Sequence, residues 1–495
     1  MQSSVNNIEW EYLSKTITIQ NISINDEEYN EIDRITISRN DEYKIEAIAY
    51  SACFPRKILE IQESIPGKEI AELSIVGYDK YNNRFFLSGC IITGKQGRIN
   101  LLTGNSHIEQ VSLLVHSLSF KDAYMEKEEK GVLIDWYLNA CNIDDIFCER
   151  ATVVSSNNHD IKYSEFEISA HGQEEKTFFG SLTINCIDSC KIIVIKSENK
   201  HIPSWSKGIG VAYIGNFPNK KIREKIITFI GFLLNRKLFL SGTTYYDMES
   251  NVLEAKSFTP DSSVKYASMQ ATCTIINYSW SSAKKINSID TFKKVVNSLL
   301  PMFINKCDEM KLNDAIHRIF ISNLLPLESS LPILVNGIEI VKGAWLKNTS
   351  STSNGTYMTK DVYDKIISDS MDNIEKQILE KSPKYGDRIV NNIKRAFCAT
   401  GSKSYDLFFE ETNIKTSKKE LESINKRNHL IHGAMSYDAA KLRNVSHLTK
   451  VARVFISRII LILLGYTGKY SDFSIEGFPC KDISIPAHED VSQLT

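Results

Sequence analysis

Ser417-Lys418-Lys419-Glu420-Leu421-Glu422-Ser423-Ile424-Asn425-Lys426-Arg427-Asn428-His429-Leu430-Ile431-His432-Gly433 opens and closes like one helix. Ser417 and Glu420 have capping-box spacing, in which the serine oxygen accepts from the amide three residues on and the glutamate reaches back to the serine amide. Gly433 suits the left-handed residue that ends a helix. At about 100° per residue, Leu421, Asn428 and His432 fall within roughly 40° of arc, with Ile424 and Ile431 beside them and Arg427 further round. An amide and an imidazole thus share the apolar stripe. Each costs on the order of 1 to 3 kcal/mol there unless hydrogen-bonded, so each needs a partner in the fold or a task at an interface.

Asp438 to Leu464 reads as a second, longer helix, with Leu442, Val445, Leu448, Ala452, Phe455, Ile459 and Ile462 on one side. Two helices joined by a short glycine-containing turn make an antiparallel hairpin. Further helical patterns run from Leu331 to Lys347, Thr359 to Lys381 and Asp387 to Thr400. Within the hairpin Arg427, Asn428 and His432 offer a fixed cation, a hydrogen-bonding amide and a group that titrates near neutrality, a set suited to phosphodiester cleavage. The plainer reading is a histidine that caps a helix and interacts with its dipole.

The R-x4-H string with Asn directly after Arg, set in a bundle of several helices, resembles the HEPN superfamily. The long β-rich region ahead of it is similar to the ApeA group of antiviral HEPN proteins, and residues 220–236 share the character of that group's N-terminal region. The resemblance implies a nuclease bundle that dimerises, with Arg427, Asn428 and His432 as its catalytic residues. Glu339, in Gly337-Ile338-Glu339-Ile340, matches the acidic residue that such domains place to orient the motif's Arg or His. A solvent-facing glutamate is the alternative there.

The expected fold class is α+β: a β-rich region over 1–260, a helical connector over 261–325, a helical HEPN bundle over 326–470 and a tail over 471–495. Short apolar runs separated by polar turns support the first of these, among them Thr16 to Ile24, Tyr43 to Tyr50, Glu72 to Tyr78, Arg84 to Ile92 and Gln110 to Ser117. They predict a sandwich-like or folded sheet, interrupted by a helix from Asn219 to Asn235. Asn348 to Gly355 reads as a polar loop, and Thr359 as the N-cap of the helix after it.

The 495 residues, 42% hydrophobic and 24% charged, fit a soluble protein of two or three domains. The formal net charge of -1 conceals an asymmetry, because residues 384–470 carry 16 Lys plus Arg against 7 Asp plus Glu. That excess of basic residues favours a phosphate-backbone ligand. The ten cysteines show no C-x2-C pairing or flanking histidines, so neither a zinc site nor any other cofactor is expected. The N-terminus lacks the apolar core of a secretion signal, and no apolar run approaches the roughly 20 residues of a membrane span, so a cytoplasmic location is expected. Gly208-x-Gly210 with Gly215 does not complete a dinucleotide fingerprint, no phosphate-binding loop precedes Lys403 or Lys469, and no G-x-S-x-G elbow is present. His317 and His447 lie on expected helices without metal-type partners four residues away.

The function expected from these residues and this resemblance is metal-independent endoribonuclease activity. RNA is the partner, with tRNA among the candidate substrates, cut by attack of the 2′-hydroxyl to leave 2′,3′-cyclic phosphates. Arg427 and His432 are about 140° apart on an unbroken helix, so one motif grips a phosphate poorly, and a homodimer or larger oligomer would complete the site. The resemblance further implies antiphage defence by abortive infection, with a viral protein as the trigger at the N-terminal region. The competing expectation is a catalytically silent HEPN module for dimerisation, with a protein-binding N-terminal region.

Overall fold

The computed structural model describes residues 13, 16–52, 54, 72–99, 106–122, 131–140, 149–156, 158–163, 166–170, 177–187, 190–197, 202–247, 251–270, 273–276, 285–348, 358, 360–396, 402–431 and 438–489. The chain is α+β, with its long sheet in the N-terminal half and most of its helices in the C-terminal half. It divides into two compact units. One comprises residues 1–227, 236–272 and 278–297, and the other residues 228–235, 273–277 and 298–495.

Among the described residues the first unit is built on sixteen strands in one sheet. Ile17–Ile24 (β1), Glu27–Glu28 (β2), Ile32–Arg39 (β3), Ile45–Ser51 (β4), Leu73–Tyr78 (β5), Arg84–Ile99 (β6) and Ser106–Lys121 (β7) come first. Pairing runs β7-β4-β3-β1-β5-β6, and β6 returns to pair with β7, so of the sandwich-like or folded sheet expected, the sheet takes the folded form, six strands closing an antiparallel barrel. Closure removes the exposed edges that an open sheet would present. In β4, Ile45, Ala47 and Ala49 point inward at every second position, and they meet Ile19, Ile35, Ile75, Leu87 and Leu113 in the barrel core.

β7 is long enough to serve two neighbours on one flank, β4 along residues 110–115 and Val252–Phe258 (β16) along residues 117–121. The sheet continues from there through Phe239–Tyr246 (β15), Val132–Leu138 (β8), Gly208–Gly215 (β14), Cys190–Ser197 (β13) and Thr177–Ile187 (β12). Glu149–Ser156 (β9), Asn158–Tyr163 (β10) and Phe166–Ala170 (β11) complete it. β14 and β15 both pair antiparallel with β8 and so run parallel to each other, joined by the helix Lys220–Leu233 (α1). Gly210 in β14 lies against Ile195 and Trp136, where a Cβ would come within 2.7 Å of either side chain. Close packing of the backbone, not phosphate binding, thus accounts for that glycine.

Beyond the short helix Val264–Met269 (α2) come Lys285–Lys306 (α3), Leu312–Ser322 (α4), Leu327–Asn348 (α5), Lys360–Lys381 (α6) and Gly386–Lys394 (α7). Ser402–Glu411 (α8), Lys418–Ile431 (α9) and Ala439–Leu463 (α10) follow. α5 and α10 form the centre of the second unit, joined by α4, α8 and α9, while α6 and α7 pack on each other. Gly337 lets α5 approach α10, since a Cβ there would collide with Ile456. The stripe expected on the last long helix is present as Val445, Leu448, Ala452, Phe455 and Ile459, all buried. Asn348, where a polar loop was expected to begin, is the last residue of α5; the rest of that loop, 349–355, and the cap expected at Thr359 lie outside the described residues.

Residues 469–489 include a short hairpin, Lys469–Ser471 (β17) with Cys480–Asp482 (β18), and pack into this unit. Asp472 and Lys481 are buried as an ion pair 2.9 Å apart, and Tyr470 is fully buried. The stretch read as a tail therefore carries part of the helical unit's core.

Candidate functional site

The helix that carries Arg427 is fixed at its start by the expected capping box. The Ser417 amide donates to Glu420 Oε2 at 2.8 Å and the Glu420 amide donates to Ser417 Oγ at 3.2 Å. That glutamate has a second job, one that the capping pattern does not signal. Its other oxygen accepts from Arg458 of α10 and from the Ala487 amide, and both members of the Glu420–Arg458 pair are fully buried. Burial pushes the Glu420 carboxyl up, and Arg458 with the two backbone donors pulls it back. α9 is thereby tied to α10 and to the C-terminal stretch, which fixes where its last turns lie.

Ten residues on from Ser417, the Arg427 guanidinium forms an ion pair with the Glu339 carboxylate of α5. The structure thus brings together two of the four residues singled out in the sequence. Three more side chains join them. Lys342, one turn beyond Glu339, donates to Ser404 Oγ at 2.8 Å, and its ammonium lies 3.8 Å from the centre of the Tyr405 ring. Burial lowers the Lys342 pKa, with Glu339 opposing the shift and Arg427 adding to it. The Tyr405 phenol is held protonated by burial and by the nearby Glu339 carboxylate. Two cations and one carboxylate leave the cluster with a surplus of positive charge, and Arg427 Nε is buried without a hydrogen-bond partner.

Asn428 follows Arg427 within α9, which runs to Ile431. His432 and Gly433 lie outside the described residues. Lys342 was open to sequence reasoning, since it is three residues from Glu339 on one helix face. Ser404 and Tyr405 were not, because the short helix that holds them carries no clear periodic pattern. Of the two histidines judged not to be ligands, His447 stacks edge-on against His488 with ring centres 4.6 Å apart.

No protein-family model and no curated protein matches this chain. Among the described residues no group of three His, Cys, Asp or Glu side chains is placed to hold a metal ion. No helix among them is long and apolar enough to cross a membrane. What the cluster offers is a planar guanidinium paired with a carboxylate, and a second cation one helical turn beyond that carboxylate.

Proposed function

We propose that the helical unit is a HEPN-type endoribonuclease that works without a metal ion, with Arg427, Asn428 and His432 as its reacting groups. The observation that carries this reading is the ion pair between Arg427 and Glu339, which connects the residue expected to orient the motif with the motif's arginine. A carboxylate on one edge of a guanidinium fixes its plane and leaves the other donors to meet a phosphate. His432 would take the proton of the ribose 2′-hydroxyl or protonate the leaving 5′-oxygen, Arg427 would stabilise charge on the phosphorane, and Asn428 would orient His432 or a phosphate oxygen. The basic surplus of residues 384–470 supports a polyanionic substrate. Dimerisation through the helical unit, a trigger sensed by the β-rich unit and a role in abortive infection belong to the same proposal by resemblance.

A second reading also has an observation in its favour. Glu339 neutralises Arg427, and such a pair suits a silent interaction module as well as a nuclease. Incubation of the purified chain with total RNA, beside folded Arg427→Ala and His432→Ala variants, separates the two. The nuclease reading expects cleavage by the wild type alone. Intact RNA throughout, or equal cleavage by all three proteins, supports the silent module or a different site.

A further inference from the structure

A sheet face that lies under a crossover helix is ordinarily apolar, because the helix buries it. The face of β8, β15, β16 and β7 under the first turns of α1 is not. Asp135 pairs across the strands with Thr243, Thr243 with Lys256, and Lys256 with Ser119, which sets a polar row across four adjacent strands. Alternation places Leu133 and Tyr137 on the same face of β8 as Asp135, while Ile134 and Trp136 enter the core on the other. Above the row the helix and sheet enclose a cavity of about 840 Å³. That is within the usual range for a small-molecule site.

The floor of the cavity is a built ion pair. Arg223 Nε of α1 lies 3.0 Å from Asp135 Oδ2, and Thr243 donates to Asp135 Oδ1 at 2.8 Å. Asp135 is 3% exposed and Arg223 18% exposed, so both lose most of their hydration, and a buried pair of this kind is weak evidence for stability. Burial pushes the Asp135 carboxyl up against the pull of Arg223. None of the guanidinium nitrogens of Arg223 makes a hydrogen bond to a described residue; Nε faces Asp135 as an ion pair and is buried without a hydrogen-bond partner. Aromatic rings flank the polar row on both sides: Phe217 and Tyr245, in edge-to-face contact at 5.5 Å, and Tyr137 with Phe258.

We propose that this cavity binds a small molecule that joins an oxyanion, phosphate or carboxylate, to a flat aromatic body. The free terminal nitrogens of Arg223, whose charge Asp135 anchors below, take the oxyanion in bidentate fashion, with Lys256 completing the charge. Thr243 and Ser119 supply hydroxyls along the row, and the rings pack the body. Lys220 and Lys256 are balanced at the mouth by Glu224 and Glu254, whose ion pairs are exposed and loose at 3.9 and 3.4 Å. Specificity therefore rests on the fork and the rings rather than on net charge. The site needs nothing from the nuclease reading, and its test reads binding alone.

The test is calorimetric titration and thermal-shift measurement on the full chain. One arm holds the four 5′-ribonucleoside monophosphates, the other 4-hydroxyphenylacetate and indole-3-acetate, with inorganic phosphate and uncharged nucleosides as controls. At least one organic anion should bind saturably and raise the melting temperature, and the arm it comes from identifies the oxyanion. Arg223→Lys should weaken it by at least about tenfold, because a point charge does not replace the fork. Leu240→Trp, which fills the cavity without touching the ion pair, should abolish binding and keeps the test decisive if the arginine variant is unstable. Three outcomes overturn the proposal: no binding in either arm, inorganic phosphate binding as tightly as the best organic anion, or affinity unchanged in Leu240→Trp.

Discussion

At the scale of single residues the question is what Glu339 does for Arg427. The pair is partly solvated, with side chains 31% and 23% exposed, so its contribution to folding should be about 0 to 1 kcal/mol. Glu339→Gln keeps the shape and removes the charge that orients the guanidinium. It should leave the urea midpoint almost unchanged while RNA cleavage falls, and Arg427→Lys should restore little of what Arg427→Ala loses. Loss of stability and cleavage in proportion would make the pair a structural bridge and nothing more. Lys342 offers a contrast, since its ammonium is held over Tyr405 and bonded to Ser404, and replacing it changes packing as well as charge.

Among the elements, α9 is held by a carboxylate that does two jobs. Glu420→Ala removes the cap and also leaves Arg458 buried without its partner, an arrangement that typically costs about 3 to 5 kcal/mol. Ser417→Ala removes one capping bond and should cost about 1 kcal/mol. Denaturant unfolding of the two variants checks this order, and equal losses would mean that the buried pair adds little beyond the cap. The C-terminal stretch is predicted to be sensitive to acid. The His447 pKa is lowered by burial, then by His488, Lys419 and Lys450, with Glu422 opposing. A histidine whose folded pKa is depressed binds its proton more readily when unfolded, so its contribution is complete above the unfolded value of about 6.5 and is lost as pH falls through it. Thermal melts from pH 8 to pH 5 should show a decline that His447→Gln reduces, and an identical decline in that variant would assign the effect elsewhere.

Much of this architecture was legible because local chemistry agreed with the final packing. The capping box of α9 and the apolar stripe of α10 both appear where the residues put them. β8 was not legible, because five of its seven residues are buried on both faces and it shows no alternation. β14 hid behind its glycines, and β6 runs past Ile92 through Gly94 and Gly97, where register shifts accommodate what looks like a loop. The partners of Glu420 were invisible for another reason, since Arg458 and Ala487 are 38 and 67 residues away in the chain. The same holds for Tyr405 beside Lys342.

On the scale of the whole molecule, the chain holds a helical unit with a basic bias over residues 384–470 and a β-rich unit with a cavity of its own. On an unbroken helix Arg427 and His432 would diverge by about 140°, so a complete site is expected to draw on two copies of the chain. Mixing Arg427→Ala with His432→Ala protein should then restore part of the cleavage that each lacks alone, because the mixed dimer holds one intact arginine and one intact histidine on opposite subunits. Independent sites would regain nothing. The central claim is attack by the ribose 2′-hydroxyl at a phosphate held by Arg427, and the most direct measurement is cleavage in EDTA of an RNA with a single 2′-deoxy nucleotide at the mapped cut. The wild-type chain should cut the all-ribose RNA to leave 2′,3′-cyclic phosphate and 5′-hydroxyl ends, and should spare the deoxy position. Cutting at the deoxy nucleotide, or activity that returns only with added Mg²⁺, would contradict it.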